Sequence, residues 1–368
     1  LSVLNPSWRA EERYVAEGMP RVLDGGGGGE GAALMRMLEA AVGRGVFLKA
    51  LRGLIAEKRF GSFDLGDLWR CMDQALAESG GSLGGRRTVA SLMGGWVAHL
   101  PELPLLEVSR RGDDVVVRQR SLGEGEGLWS VPVTSNVTDQ LLVVADREEV
   151  LPLSLSQQPE RTSSACLVLN WGRSTPCRVA YEDDAMYAAL LQAVEELPEA
   201  DRAALIDDQL ALVCAGLTPP RRLLDVLAAA GEGERDALVW GAIARAVVEL
   251  KGLMVDSPCL PQLHAFLSAS LGASVAAMLQ RFAASAAAAA AATTDDGEDD
   301  NLDDDDLPAD DDERRQLRAA LARLCAVHPG LDDTFRAAAA AEAAAALEGG
   351  AELEGGVVAA AVAGGEDA

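Results

Sequence analysis

The spacing of apolar residues changes twice along this 368-residue chain, and this change constrains the fold more than any other feature. Up to about residue 100, and again from residue 183, apolar residues recur every three to four positions, which places them on one face of a helix. Between these blocks, short runs rich in β-branched residues alternate with turn residues, as is typical of strands. The sequence therefore predicts a multi-domain α+β protein in which a small β-sandwich separates two helical regions.

The first helical block combines apolar stripes with signals for where helices begin and break. Asp64, with Asp67 three residues later, has the pattern of a helix N-cap. A first segment opens at Pro6 and ends near Leu23, and the glycine run at 25–29 predicts a break, since it lacks the Lys-Ser/Thr pair of a phosphate-binding loop. The predicted core stripes are Leu34, Met37, Leu38 and Ala41; Phe47, Leu51, Leu54 and Ile55; Leu65, Leu68, Trp69 and Met72; and Val89, Leu92, Met93 and Trp96.

The middle block contains the strand signals. Runs at 103–108 and 113–120 flank Arg111-Gly112, which predicts a hairpin. Asn136-Val137-Thr138 matches the glycosylation triplet, but such triplets are common by chance and we expect no glycan there. Further strands are predicted at 128–134, 140–144, 166–170 and 177–181.

The second helical block runs from Asp183 to about residue 324. Pro198 and the pair Pro219-Pro220 predict helix starts, and Ala215-Gly216 predicts a helix end. Successive helices of this length predict a solenoid of the HEAT or armadillo type. The predicted core stripes are Met186, Leu190, Leu191 and Val194; Leu205, Ile206, Leu210 and Val213; Leu223, Leu224 and Leu227; Val239, Ile243, Val247 and Leu250; Leu260, Leu263, Phe266 and Leu267; and Leu317, Leu321 and Leu324.

Half of the net charge of −26 lies in one segment. Residues 295–313 contain thirteen acidic residues and no basic one, and they follow an alanine run at 286–292. Such a segment repels itself, which predicts a low-complexity insertion, with a docking site for basic partners as the alternative. The predicted divisions are a helical region at 1–100, a β-sandwich at 101–182, a helical solenoid at 183–283, the acidic insertion at 284–312, the last solenoid helices at 313–347 and a disordered tail at 348–368.

The overall composition excludes several classes of protein. The acidic balance argues against a nucleic-acid binder, because phosphate contacts need a basic face. We find no charge-free stretch of about 20 strongly apolar residues and therefore predict no membrane span. The sequence also shows no secretory signal, which together with scattered cysteines and no CxxC pair predicts free thiols in a reducing, cytoplasmic compartment. The six cysteines are Cys71, Cys166, Cys177, Cys214, Cys259 and Cys325.

Little catalytic chemistry is visible in the residues themselves. His99, His264 and His328 lack a second ligand at metal spacing, and neither HExxH nor GxSxG occurs. The adjacent carboxylates Asp207-Asp208 and Glu195-Glu196 point about 100° apart on a helix, so we interpret them as surface charges or caps instead of an acid/base pair. We therefore assign no catalytic, cofactor-binding or metal-ligating residue to this chain.

The order of several short motifs adds a resemblance to a known family. The chain resembles the C-terminal portion of zinc aminopeptidases of the aminopeptidase N and puromycin-sensitive aminopeptidase family. The most specific block is 201–212 with Ala215-Gly216, which is close to the family pattern D-R-A-x-L-I-x-D-x-F-x-L followed by A-G. The other similar blocks are 30–38, 46–52, 60–69, 89–96 and 178–183.

This resemblance implies a layout and a function. It implies that 1–100 are the last helices of a thermolysin-like catalytic domain, followed by a β-sandwich and a helical bowl that encloses a peptide. The family binds zinc through HExxH and a downstream Glu, which are absent here, so zinc is implied only for the full-length member. The position of the family's oxyanion-stabilising Tyr is Gly28, which has no hydroxyl to donate, and its Lys is Glu30.

Two functions follow as hypotheses. In the first, the chain is the non-catalytic, peptide-enclosing part of a zinc metalloaminopeptidase that releases N-terminal residues from peptides, and it is inactive by itself. In the second, it is a non-catalytic peptide-binding or scaffold protein that uses a concave helical surface. An in-frame HExxH upstream of Leu1 would favour the first hypothesis. A start codon just before Leu1 would favour the second.

Overall fold

The computed structural model describes residues 29–84, 87–98, 102–123, 125–154, 166–292 and 311–327. The predicted segment at 6–23, Gly28, His99, His328, most of the acidic run and the predicted tail lie outside these ranges. The chain divides into two compact units, residues 1–196 and residues 197–368. The fold is helix-rich with a small mixed sheet, which confirms the α+β class. The predicted domain boundaries remain predictions.

In the described part of the first unit, four α-helices precede the strands. They are α1 (Gly29–Val42), α2 (Arg44–Glu57), α3 (Leu65–Glu78) and α4 (Val89–Ala98). The predicted start of α3 is confirmed, since Asp64 Oδ1 accepts from Asp67 N at 2.8 Å and Asp64 N donates to Asp67 Oδ2 at 3.3 Å. These reciprocal bonds form a capping box, which satisfies two backbone donors at the helix end.

Six strands follow: β1 (Pro104–Arg111), β2 (Asp114–Ser121), β3 (Val131–Val133), β4 (Leu142–Val144), β5 (Glu148–Ser154) and β6 (Arg178–Tyr181). Four of them form a mixed sheet in the order β5-β2-β1-β6, in which only the β1–β6 pair is parallel, and β3 pairs with β4 in a second sheet. The predicted hairpin is confirmed, since Arg111 pairs with Asp114 across a turn in which Gly112 has φ 70°. Glycine adopts this left-handed conformation without steric penalty.

A buried glutamine connects the two sheets. Gln119 on β2 donates from Nε2 to Trp129 O at 2.9 Å and to Val144 O at 3.3 Å, and its Oε1 accepts from Trp129 N at 3.0 Å. Helix α4 packs beside this contact, because Trp96 Nε1 donates to Ser130 O at 3.1 Å. Buried polar groups are tolerated when they are hydrogen-bonded, so these bonds fix the position of both sheets and of α4.

Three local predictions about the first unit differ from the structure. Ile55 was predicted to lie in the core but is exposed, because α2 packs on α1 and α3 through the side that carries Ala50 and Leu54. Strand β5 was not predicted, although it pairs with β2 at the sheet edge. The run at 166–170 forms one isolated bridge instead of a strand, because the Asn136 side chain takes over part of its backbone bonding, with Oδ1 accepting from Val168 N.

Helix α5 (Asp184–Gln192) follows β6, and Asp183 caps it through bonds to Ala185 N and Met186 N. The described residues of the second unit form α6 (Glu199–Cys214), α7 (Pro220–Gly231), α8 (Ala237–Leu253), α9 (Leu260–Ala292) and α10 (Asp311–Val327). Helix α8 packs against α6 and α10, and α7 packs against α6 and α9. The predicted stripe on α8 is confirmed, since Val239, Ile243, Val247 and Leu250 are all buried.

Helix α9 continues through the alanine run to Ala292, and α10 begins at Asp311. Alanine has the highest helix propensity of all residues, so a run of seven extends the helix that precedes it. Residues 293–310, which hold most of the acidic insertion, lie outside the described ranges.

Candidate functional site

His, Cys, Asp and Glu side chains do not gather into a metal-binding cluster in the part of the chain that the structure describes. No group of three or more His, Cys, Asp or Glu side chains within the described ranges could hold a metal ion. His264 lies half-buried on α9, and Glu30 lies in α1 with its side chain outside the described set. The described residues therefore offer no ligand set for zinc, and we derive no step through a metal.

The most specific sequence block forms helix α6, and its apolar residues make the inner side of the helical unit. Six of them, Ala203, Leu205, Ile206, Leu210, Ala211 and Leu212, are buried. Pro198 occupies the N-cap position, and Ala215 ends the helix, as predicted. The block therefore specifies how α6 packs, and its charged residues are the remaining candidates for function.

The first of these charges, Arg202, belongs to a buried ion pair. Its Nε donates to Glu234 Oε2 at 2.8 Å and its Nη2 donates to Glu234 Oε1 at 3.0 Å. The side chains are 18% and 5% exposed, respectively. A guanidinium and a carboxylate that meet through two parallel bonds form the strongest kind of ion pair, and removing one partner would strand a buried charge.

Glu234 also organises the turn between α7 and α8. Its Oε1 accepts from Arg235 N at 2.8 Å and from Asp236 N at 2.9 Å, and its backbone oxygen accepts from Trp240 Nε1 at 3.1 Å. Asp236 then caps α8 through bonds to the backbone of its first turn. The Arg202–Glu234 pair therefore holds the start of α6 to the start of α8, which is an architectural role.

The second charge pair, Asp207 with Arg245, lies further along the same two helices and is more exposed. Arg245 Nη2 donates to Asp207 Oδ1 at 2.9 Å and to Oδ2 at 3.0 Å, and its Nε donates to Oδ1 at 3.2 Å. The side chains are 39% and 29% exposed for Arg245 and Asp207. Within the part of the chain that the structure describes, Arg245 Nη1 has no assigned partner, so this edge of the guanidinium can bind a further carboxylate.

Two further titratable groups lie near each other beyond the Asp207–Arg245 pair. Glu249 is one helical turn after Arg245 on α8, and Cys214 is the last residue of α6. Burial raises the pKa of the Glu249 carboxyl above its ordinary value. Burial raises the pKa of the Cys214 thiol as well, and the nearby Glu249 charge adds to that shift. A thiol with a raised pKa stays protonated near neutral pH, so Cys214 is not an activated nucleophile. We call Asp207, Cys214, Arg245 and Glu249 the α6–α8 strip.

No sequence pattern indicates the roles of most of these residues. Arg202 belongs to the most specific motif, but nothing in the sequence marks Glu234 or Arg245, because partners 32 and 38 residues apart carry no local signal. The interpretation of Asp207 and Asp208 as surface charges was wrong for Asp208, which is buried. Glu195 and Glu196 are exposed, as that interpretation expected.

Comparison with known proteins identifies the family. The sequence profile of the family described as "ERAP1-like C-terminal domain" matches residues 166–368, more than half of the chain. The chain belongs to this family. The resemblance found in the sequence is thereby confirmed, since the match and the relatives correspond to the C-terminal part of M1 aminopeptidases.

Several curated relatives share this part of the chain. The human thyrotropin-releasing hormone-degrading ectoenzyme is 25% identical over 267 residues, which cover 67% of this chain and 24% of the relative. Aminopeptidase M1-A of Oryza sativa subsp. japonica is 26% identical over 228 residues, covering 59% of this chain and 24% of the relative. Tricorn protease-interacting factor F2 of Thermoplasma volcanium is 24% identical over 192 residues, covering 51% of this chain and 22% of the relative.

The chain thus spans about a quarter of the length of the curated relatives that it matches. None of its described helices is long and apolar enough to cross a membrane. Among the cysteines that the structure describes, Cys259 is exposed, and Cys71, Cys166 and Cys177 are buried.

Proposed function

We propose that this chain is the non-catalytic, peptide-enclosing part of an aminopeptidase that releases N-terminal amino acids from peptides. The observation that carries the proposal is the family match over 166–368, together with relatives whose names are aminopeptidases. In the full-length protein, zinc and its ligands would lie outside this chain. The chain by itself would therefore bind peptides but would not hydrolyse them.

The finer architecture belongs to the same proposal. Residues 1–100 would be the helical tail of a thermolysin-like catalytic domain, the two sheets would form a β-sandwich, and the second unit would be a short solenoid. The mutual packing of α6, α7 and α8 supports the solenoid, because stacked helical hairpins contact their neighbours in this way. A reducing, cytoplasmic compartment, predicted from scattered cysteines without a CxxC pair, belongs to the same proposal.

Within this proposal, Arg245 is the best candidate for peptide contact among the described residues of α6 and α8. Its side chain is 39% exposed, and its guanidinium already pairs with the Asp207 carboxylate. The open Nη1 edge could take the C-terminal carboxylate of an enclosed peptide while Asp207 holds the other edge. Arg202 is less suited to this role, since it is only 18% exposed and each of its three guanidinium nitrogens donates to Glu234 or to the backbone oxygen of Leu197.

The proposal is tested with the purified 368-residue chain. We expect binding of short peptides by fluorescence anisotropy, no bound zinc by elemental analysis and no release of an aminoacyl fluorophore. Chelator-sensitive turnover would contradict the inactivity of the chain. Failure to bind any member of a random peptide pool would contradict the peptide-enclosing role.

A further inference from the structure

The connection between α2 and α3 presents five consecutive exposed residues, 60–64. Phe60 is 96% exposed and has φ 63°, an unusual backbone conformation for a large side chain. Gly61 N donates to Lys58 O at 2.8 Å and closes the end of α2, while Asp64 caps α3. Ser62 lies between these two anchored ends, and its hydroxyl is accessible and has no assigned partner within the described residues.

The charges before Ser62 are mostly basic, and those after it are acidic. Residues 44–63 contain five Lys or Arg residues and one Glu, but Asp64 and Asp67 follow, and Asp67 Oδ1 pairs with Lys58 Nζ at 2.8 Å. Arg59 lies three residues before Ser62 and is exposed, with its guanidinium 5.0 Å from the centre of the Phe60 ring. Phe63, directly after Ser62, is also exposed.

We infer that Ser62 is a phosphorylation site for an arginine-directed serine/threonine protein kinase. Such a kinase would bind the Arg59 guanidinium with carboxylates and the Phe63 ring with an apolar pocket, since kinases select substrates by patterns of charge around the acceptor. In the transfer, Ser62 Oγ forms a bond to the γ-phosphorus of ATP, and the bond from that phosphorus to the β–γ bridging oxygen breaks. ADP leaves, and the hydroxyl proton passes to the kinase's catalytic base.

Other serines also follow an arginine by three residues, so exposure in the structure, and not this spacing, distinguishes Ser62 from them. Arg118 and Ser121 have the same three-residue separation, but Ser121 is only 2% exposed at the end of β2. Its Oγ accepts from Gly123 N at 3.1 Å. Arg161 and Ser164 repeat the spacing again outside the described ranges. A kinase that recognises the spacing therefore meets an accessible hydroxyl at Ser62 and a buried one at Ser121.

The test incubates the folded full chain with ATP and the catalytic domain of a calmodulin-dependent protein kinase, and it measures site occupancy by peptide mass spectrometry. We expect Ser62 to be modified about 100-fold faster than Ser121, because reaching Ser121 requires local opening of the sheet. Synthetic peptides covering 56–66 and 115–125 should be modified at comparable rates, since neither peptide is folded. Ser62→Ala should remove the signal at that site.

A matched pair of arginine variants tests the recognition itself. Arg59→Gln should slow modification of Ser62 about tenfold, which corresponds to the loss of one charge-assisted contact. Arg52→Gln replaces an exposed arginine within α2, seven residues before Arg59, and should leave the rate unchanged. The inference is wrong if the folded chain is not modified at Ser62 while the 56–66 peptide is, if Ser121 reacts as fast as Ser62, or if Arg59→Gln has no effect.

Discussion

The two arginine–carboxylate pairs of helix α6 have the same chemistry but lie in different surroundings. Arg202 and Glu234 are largely out of water, and Glu234 also accepts bonds from two backbone donors of the α7–α8 turn. Asp207 and Arg245 keep roughly a third of their side chains exposed. The comparison teaches that burial decides whether such a pair holds the fold or remains available to a ligand.

The largest effect is expected from breaking the buried pair. Arg202→Ala strands the Glu234 carboxylate and should lower the free energy of unfolding of the second unit by about 3–5 kcal/mol. Urea unfolding followed by helical circular dichroism measures this. The double variant Arg202→Met with Glu234→Gln leaves no unpaired charge and keeps an acceptor for the turn, so it should recover most of the loss. A loss below about 1 kcal/mol for the single variant would show that burial does not separate the two pairs.

A smaller effect is expected at the helix cap beside the buried pair. Asp236 Oδ1 accepts from Leu238 N at 2.8 Å and from Val239 N at 3.3 Å. Asp236→Ala should lower the free energy of unfolding by about 1 kcal/mol in the same urea experiment. Asp225→Ala is the matched control, since Asp225 makes only an exposed pair with Arg221 and should change stability by less than about 0.5 kcal/mol. Equal losses in the two variants would contradict the capping role.

Removing the exposed pair should affect stability still less. Asp207→Asn should lower the free energy of unfolding by no more than about 0.5–1 kcal/mol, because water replaces the lost contact. The same variant frees the second edge of Arg245 and should tighten peptide binding, measured by anisotropy. If Asp207→Asn lowered the free energy of unfolding as much as Arg202→Ala, the Asp207–Arg245 pair would also have a structural role.

The smallest effect concerns Glu249 and depends on pH. Its folded pKa is raised by burial, so the folded state holds the proton more tightly than the unfolded state. Stability from this group is therefore complete below the ordinary glutamate pKa of about 4.3 and is lost as pH rises through the folded value. Glu249→Gln should be more stable than the parent at pH 7 and equal to it at pH 4. If the free energies of unfolding of the parent and Glu249→Gln changed with pH in parallel, the raised pKa of Glu249 would be contradicted.

Local signals predicted local structure well. The spacing of Asp64 and Asp67 fixed the start of α3, and the Arg111-Gly112 turn fixed the hairpin, because both depend on residues that are neighbours in sequence. The sequence does not predict strand β5, because the strand begins with two glutamates and contains Pro152, and both residue types are uncommon in strands. Charges and proline are tolerated at a sheet edge, where one side of the strand forms no ladder.

Sequence patterns do not indicate which residues contact each other in the tertiary structure. The Arg202–Glu234 pair joins residues on α6 and in the α7–α8 turn, and no periodicity marks them as partners. Asp208 follows the same helical rules as Asp207 but is buried, since the packing of the neighbouring helices decides which acidic residue faces water. The predicted absence of catalytic and metal-ligating residues stays a prediction, and the candidate role of Arg245 needed the structure.

The most direct test of the account compares two peptides that differ only at the C-terminus. Anisotropy titrations of the full chain would use one labelled peptide with a free carboxylate and the same peptide as its amide. The account predicts that the free acid binds about tenfold tighter, that Arg245→Gln removes this difference, and that Arg221→Gln, which changes an exposed arginine of α7, preserves it. Equal affinities for the two peptides, or a preference that survives Arg245→Gln, would contradict it.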